Sequence, residues 1–271
     1  MPIIGRPDEP EIIAIPRQQT YVVAKGNDLI QKSRDAMTVQ QNKIMLFLIS
    51  KIRPGDTGHE TYTVSISEFC KVCNIDYDSG KNHSDAKRAL KALADKSIWL
   101  QTDDNTEVLV RWLNRVRLDK ARNTFDISFH EDMLPFLYDL KERYTTYSLE
   151  YVLTMRSQYG IRLYELLKSY QHLGKEISFT LEEFKQRLDV HKYDRYPDLR
   201  RRVIEPAIND INECSDMEVD YYPYNASNGR SVEYVTFVMR EPKGLDEHIR
   251  KIRRRRELTP RRKSTTKAPT E

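Results

Sequence analysis

Tyr196-Pro-Asp-Leu-Arg-Arg-Arg-Val-Ile-Glu-Pro-Ala-Ile-Asn-Asp-Ile-Asn212 decides how the rest of the chain is read. Pro197 suits the first turn of a helix, where its missing N–H costs nothing. Leu199, Val203, Ala207, Ile208 and Ile211 then recur at helical spacing and define one apolar side. At about 100° per residue, Asp198, Arg201, Arg202, Glu205, Asn209 and Asn212 fall on the other side. Arg200 lies nearer the apolar side, but in the first turn it can swing past the helix end. Arginine bridges guanine in a major groove, asparagine does the same for adenine, and both reach phosphates. The stretch reads as the recognition helix of a DNA-binding domain. Taken alone, an ordinary amphipathic surface helix fits the same pattern, so the neighbouring segments decide. Pro206 is interior and cannot donate to the carbonyl of Arg202, at a cost of about 3 kcal/mol. The helix therefore kinks near Glu205 or begins afresh at Pro206.

Working outward, Lys192-Tyr-Asp-Arg-Tyr196 is a loop that leads into this helix. Before it come a helix over Ser148 to Tyr170, a strand Ile177–Leu181 and a short helix Glu182–Val190. After it, Glu218–Tyr222 and Val232–Val238 form a wing turning at Asn228-Gly229. The first half follows the same plan. Thr38 and Gln41 make a capping box at the head of a core helix containing Ile44, Met45, Phe47, Leu48 and Ile52. A strand Tyr62–Ile66 and a helix Ser67–Ile75 follow, the latter with Phe69, Val72 and Cys73 inward. Ser84 is expected to cap a third helix to Lys96, whose outer face carries Lys87, Arg88 and Lys91. Three β-like runs come next: Ser97–Gln101, Glu107–Leu118 and Phe125–Phe129. Thr63-Val-Ser-Ile-Ser-Glu-Phe69 lies against Ser178-Phe-Thr-Leu-Glu-Glu-Phe184 at one offset, with the same order of elements around both. Self-similarity of this kind argues for a duplicated domain. The expected fold class is α+β: two tandem winged-helix (helix-turn-helix) domains related by pseudo-two-fold duplication. The expected division is a flexible arm 1–20, a first domain 21–135, a second domain 136–243 and a basic, disordered tail 244–271.

The chain has 271 residues, 32% of them charged, and a net charge of +4. Between Arg250 and Lys263 stand nine Lys or Arg and one acid, Glu257, which leaves the remainder net acidic. Nucleic acid would therefore be bound through local patches, with the tail adding salt-sensitive, sequence-independent affinity. No apolar run approaches the roughly 20 residues of a membrane span. The opening residues lack the basic-then-apolar plan of a secretory leader, and three cysteines fit a reduced, cytoplasmic setting. Catalysis finds no support. The histidines at 59, 83, 130, 172, 191 and 248 never form the His-apolar-His pair of a metal-dependent tyrosine nickase. Gly80-Lys81 has Ile75 where a phosphate-binding loop needs glycine. Cys70 and Cys73 form a CxxC without a second ligand pair; Cys73 should face the core and Cys70 its edge. Trp99 and Trp112 read as core residues. No metal and no cofactor is expected, and no enzymatic activity.

Three stretches resemble the replication initiator proteins of iteron-type, theta-replicating bacterial plasmids: Asn27-Asp-Leu-Ile through Lys43-Ile-Met-Leu, Ser157-Gln-Tyr-Gly-Ile-Arg-Leu-Tyr-Glu-Leu-Leu-Lys168, and Leu199 through Asn212. The resemblance runs from about Tyr21 to Met239. It implies two pseudo-symmetric winged-helix domains, and monomers bound to tandem origin repeats. It also implies dimers bound to an operator that represses the protein's own gene, and contacts with the host replication helicase and initiator. The resemblance implies that the second domain supplies the main recognition helix, here Pro197 to Asn212; on its outer face Arg201, Arg202 and Asn209 are expected to read bases or adjacent phosphates, with Lys192, Arg195 and Arg200 holding the backbone beside them. Lys87, Arg88 and Lys91 would grip the neighbouring turn from a first domain that also dimerises. A dimeric winged-helix repressor without a replication role is the alternative.

Overall fold

The computed structural model describes residues 21–34, 37–73, 82–103, 105–225, 229 and 231–258. Strand β1 (Val22–Gly26) leads into α1 (Asn27–Lys32) and the two-residue β2 (Ser33–Arg34). Helix α2 (Val39–Ile49) starts at the expected capping box: the Thr38 hydroxyl accepts the Gln41 N–H, and the Gln41 carboxamide accepts the Thr38 N–H. Its run Ile44–Ile49 is buried throughout, so α2 is a core helix rather than a surface one. Next come β3 (Tyr62–Ser65), α3 (Ile66–Val72), α4 (Asn82–Ala94), β4 (Ser97–Asp103), β5 (Thr106–Arg111), β6 (Leu113–Asp119) and β7 (Thr124–Phe129). A 3-10 turn and α5 (Leu134–Leu137) precede β8 (Tyr144–Ser148), which pairs antiparallel with β1. The second half comprises α6 (Leu149–Leu153), α7 (Gln158–Tyr170), β9 (Glu176–Thr180), α8 (Leu181–Leu188) and α9 (Tyr196–Leu199). A π-helical turn, Arg200–Ile204, joins α9 to α10 (Glu205–Cys214), and β10 (Glu218–Asn225), β11 (Val232–Arg240) and α11 (Leu245–Leu258) complete it.

The duplication is visible in the sheets. One has the order β3-β7-β6 and the other β9-β11-β10. In each, the strand that precedes the second helix pairs with the last strand of the wing. Val64 stands opposite Phe125, and Phe179 opposite Val235. The matched segments also start their helices alike. The Ser65 oxygen accepts the Glu68 N–H, and the Thr180 oxygen accepts the Glu183 N–H, both at 3.1 Å. Phe69 and Phe184 are fully buried, packing on Phe125 of β7 and Phe237 of β11 at 5.2 and 5.4 Å between ring centres. These are two winged-helix units with mixed helix and strand content.

Several local expectations are corrected. Glu107–Leu118 is two strands, not one, because Trp112 turns inward between them. β5 then joins the sheet β2-β4-β5 while β6 joins β7. Among the described residues the β4–β5 hairpin has no counterpart in the second unit. Trp99, on its outer face opposite Leu109, is 47% exposed rather than in the core. Cys70 is as buried as Cys73. α4 begins at Asn82, so Ser84 lies inside the helix and does not cap it. The helix expected over 148–170 breaks at Thr154–Ser157, where Ser157 caps α7 by accepting the Tyr159 N–H. The segment after Gly244 is not disordered throughout: residues 245–258 form a helix that buries Ile252. The expected arm 1–20, the tail beyond 258, the loop 74–81 and Asn228 of the wing turn lie outside the described residues; Gly229 sits at φ +66°.

The two units meet through a polar seam. Lys25 of β1 reaches Glu165 of α7 at 2.9 Å, and the Tyr147 hydroxyl of β8 donates to the same Oε1 at 2.6 Å, all three buried. Asn27 donates to the Ser169 carbonyl and accepts from Thr145, while Arg162 donates to Ser33 and Arg187 to the Gln31 carbonyl. The β1–β8 pair spans the expected boundary between 135 and 136.

Candidate nucleic-acid interface

The quoted stretch forms one continuous rod, neither broken nor restarted at Pro206. The missing N–H of Pro206 is accommodated one residue earlier: the Glu205 N–H bonds the Arg200 carbonyl, five residues back. A single wide turn of this kind removes the clash without ending the helix. Leu199, Val203, Ile204, Ala207 and Ile211 are all fully buried, which seats the rod on the second unit's core.

The rod is held against α7 at one close approach. A Cβ on Gly160 would lie 2.9 Å from Cβ and Oδ2 of Asp210. Asp210 Oδ2 in turn accepts the N–H groups of Arg156 and Ser157 at 2.8 and 2.5 Å, capping the start of α7. Burial pushes the Asp210 carboxyl pKa up, and those two bonds pull against it. Gly160→Ala is therefore expected to wedge α7 from α10 and cost about 1–3 kcal/mol, read as a lowered urea midpoint; an unchanged midpoint would mean the two helices separate freely.

Arg200, Arg201, Arg202 and Asn209 are exposed on the outer side. Arg200 Nε bonds Glu205 at 2.7 Å and Arg201 pairs with Asp198 at 3.2 Å. Arg202 and Asn209 make no hydrogen bond or ion pair among the described residues, so their polar ends are available to a ligand. Asn212, expected on this face, instead ties the rod to β10: its carboxamide exchanges two bonds with the Val219 backbone, at 3.0 and 2.7 Å. Lys192 and Arg195 are exposed in the loop leading into α9. Lys192 Nζ stands 5.3 Å from the Tyr193 ring centre.

The sequence reading missed Tyr159 beside them. Met37, Asn42, Gln158, Tyr159, His191 and Lys192 line a cleft of about 320 Å³ between the two units. Burial would raise the Tyr159 hydroxyl pKa, but hydrogen bonds from Tyr193, Lys192 and Gln158 outweigh it and lower it. Lys192 is correspondingly raised, mainly by Tyr159. Tyr159 lies in the quoted stretch Ser157–Lys168, but Tyr193 and Lys192 reach it from another element, which the stretch alone does not show.

In the first unit Lys87, Arg88 and Lys91 are exposed on α4, the helix that holds the rod's place there. Arg88 is tied to Asp85, and Lys91 to Asp95 at 2.6 Å. A second basic row was not anticipated: Arg111, Arg115, Arg117, Lys120 and Arg122 are all exposed along and beside β6. The Arg115-x-Arg117 alternation, at the strand period of two, was the available signal. On the second wing Tyr222, Tyr224 and Tyr234 are exposed together, with Tyr224 opposite Tyr234.

Among the described residues no group of three His, Cys, Asp or Glu could hold a metal ion, and no helix is long and apolar enough to cross a membrane.

Residues 22–168 match the family model described as "Initiator Replication protein, WH1", and residues 180–239 the model described as "Initiator Rep protein, WH2". An uncharacterized 27.6 kDa protein of Escherichia coli is 24% identical over 174 residues, covering 60% of this chain and 69% of that one. Among solved structures, the Pi initiator protein in complex with iteron DNA superposes with a TM-score of 0.65 at 17% identity, over 84% of this chain and 100% of that one. That likeness is one of fold.

Proposed function

The chain belongs to the initiator replication protein family, and on that premise we propose that it starts plasmid replication by binding tandem origin repeats as duplex DNA. The observation that carries this is the rod with Arg202 and Asn209 exposed and uncommitted beside a wing. Arg202 and Asn209 read bases; Arg200 and Arg201, already held by acids, bind phosphate together with Lys192 and Arg195. Lys87, Arg88 and Lys91 contact the adjacent turn, joined by the arginines along β6. Once one unit has docked, the other binds intramolecularly and gains from effective concentration. We assign 136–243 the main recognition role and 21–135 the accessory and dimerising role. The site of action is the bacterial cytoplasm, the host helicase is the recruited partner, and the protein acts by binding rather than by cutting DNA.

Dimerisation for repression of its own gene fits the β5 edge, which exposes Leu109 beside Trp99. Leu109→Lys is expected to shift sedimentation towards the monomer; an unaltered profile would move the interface elsewhere.

The function is tested by selecting duplexes from a random pool with the full-length protein. One sequence should emerge, and it should recur in tandem beside the gene at a spacing of roughly two helical turns, about 20 base pairs. A selected sequence found only as a single operator would favour the repressor reading, which family membership disfavours. Supercoiled DNA carrying the repeats should stay unnicked with magnesium or manganese; a covalent tyrosyl adduct would contradict the binding role.

A further inference from the structure

Helix α11 lies beyond residue 239, where the second family match ends. It is docked rather than loose. Ile252 is buried, and His248 Nε2 lies 3.0 Å from the Ser215 carbonyl. Arg253 forks onto both carboxylate oxygens of Glu150 at 2.9 Å, and Arg255 bonds Glu213 of the rod at 3.1 Å.

Glu213 fixes where this helix stands relative to the DNA-reading side chains. It follows Asn209 by four residues, one turn further along the rod, or about 6 Å. The Arg255 guanidinium thus continues the exposed row that begins at Arg202 and Asn209. It also covers a carboxylate which, bare, would repel phosphate from that row. At about 100° per residue, Lys251, Arg254 and Arg255 spread over the flank on the rod's side together with Glu247, which Lys251 neutralises at 3.0 Å, and Arg253 lies over the opposite flank.

We propose that α11 is a third DNA-contacting element, which lays Lys251, Arg254 and Arg255 on the phosphates flanking the bases read by Arg202 and Asn209. This rests on the DNA-binding reading above. A loose basic tail raises affinity without a fixed place, whereas a docked helix lengthens the footprint on one side only.

Hydroxyl-radical footprinting of the full-length protein on the selected duplex tests it. Protection should extend past the rod's contacts by about half a helical turn, roughly 5 base pairs. Lys251→Gln with Arg254→Gln should remove that flank, lower the slope of log affinity against log salt by about 2, and leave the central protection. Glu150→Gln with Ile252→Ser keeps every cation of α11 and removes an anion, so charge alone would strengthen binding. Docked placement requires the reverse: the flank is lost and binding weakens. A flank retained by this undocked variant overturns the proposal. So does a wild-type footprint with central protection and no flank, an outcome that would turn α11 towards an acidic protein partner. Wild-type protein giving no protection anywhere would remove the DNA-binding reading as well.

Discussion

Arg202→Ala combined with Asn209→Ala is expected to abolish the chain's preference for one DNA sequence while leaving the protein folded. Both side chains are exposed on the rod, and neither makes a hydrogen bond or ion pair among the described residues, so alanine breaks no internal bond. A base contact is worth about 1–3 kcal/mol. Losing both should weaken the selected duplex by on the order of 100-fold or more, and a scrambled duplex much less. Arg201→Ala should do less than Arg202→Ala, because Arg201 must first leave Asp198. Competition binding with selected and scrambled duplexes measures this directly. Equal losses on both would reduce the pair to phosphate contacts.

The largest effect on stability is expected at the seam between the units. Lys25 and Glu165 have side chains only 6% and 5% exposed. Glu165→Gln leaves the ammonium buried without its counter-charge, and breaking such a pair costs about 3–5 kcal/mol, a large share of the 5–15 kcal/mol typical of a folded domain. Lys25→Met should cost less, since the Tyr147 hydroxyl still donates to Glu165. Burial, and then the Glu165 charge, raise the pKa of that hydroxyl, so it remains a donor. Lys25→Met with Glu165→Leu removes both charges and should regain most of the loss. Urea midpoints of the two single variants and the double variant give the coupling. Strict additivity would show that the two charges do not depend on each other.

Much of this architecture was legible because it is written in local chemistry. Thr38 with Gln41 announces a helix start within four residues. Phe69 and Phe184 recur at one offset because each fills the same place in its unit. The buried side of the rod follows from spacing alone. What stayed hidden depends on distant partners. The docking of α11 rests on Glu150 and Glu213, far away in the chain, and within the helix the apolar packing comes from Ile252 and the partly buried Ile249. The seam joins Lys25 to a residue on α7. Pro206 signals trouble in the helix but not its remedy, since a wide turn leaves no mark of its own. Trp99 alternates with buried Ile98 and Leu100 and so faces outward, but the sequence does not say which side of β4 the core lies on.

Dimethyl sulfate interference on the selected duplex bears most directly on the reading of two units sharing one duplex through the rod. The reagent marks guanine at N7 in the major groove and adenine at N3 in the minor groove. Modified guanines within one helical turn should block binding by wild-type protein, with a second, weaker set in the adjacent turn. The first set should cease to matter for the Arg202→Ala, Asn209→Ala variant. Interference confined to adenines, or identical for both proteins, would mean that the rod does not enter the major groove.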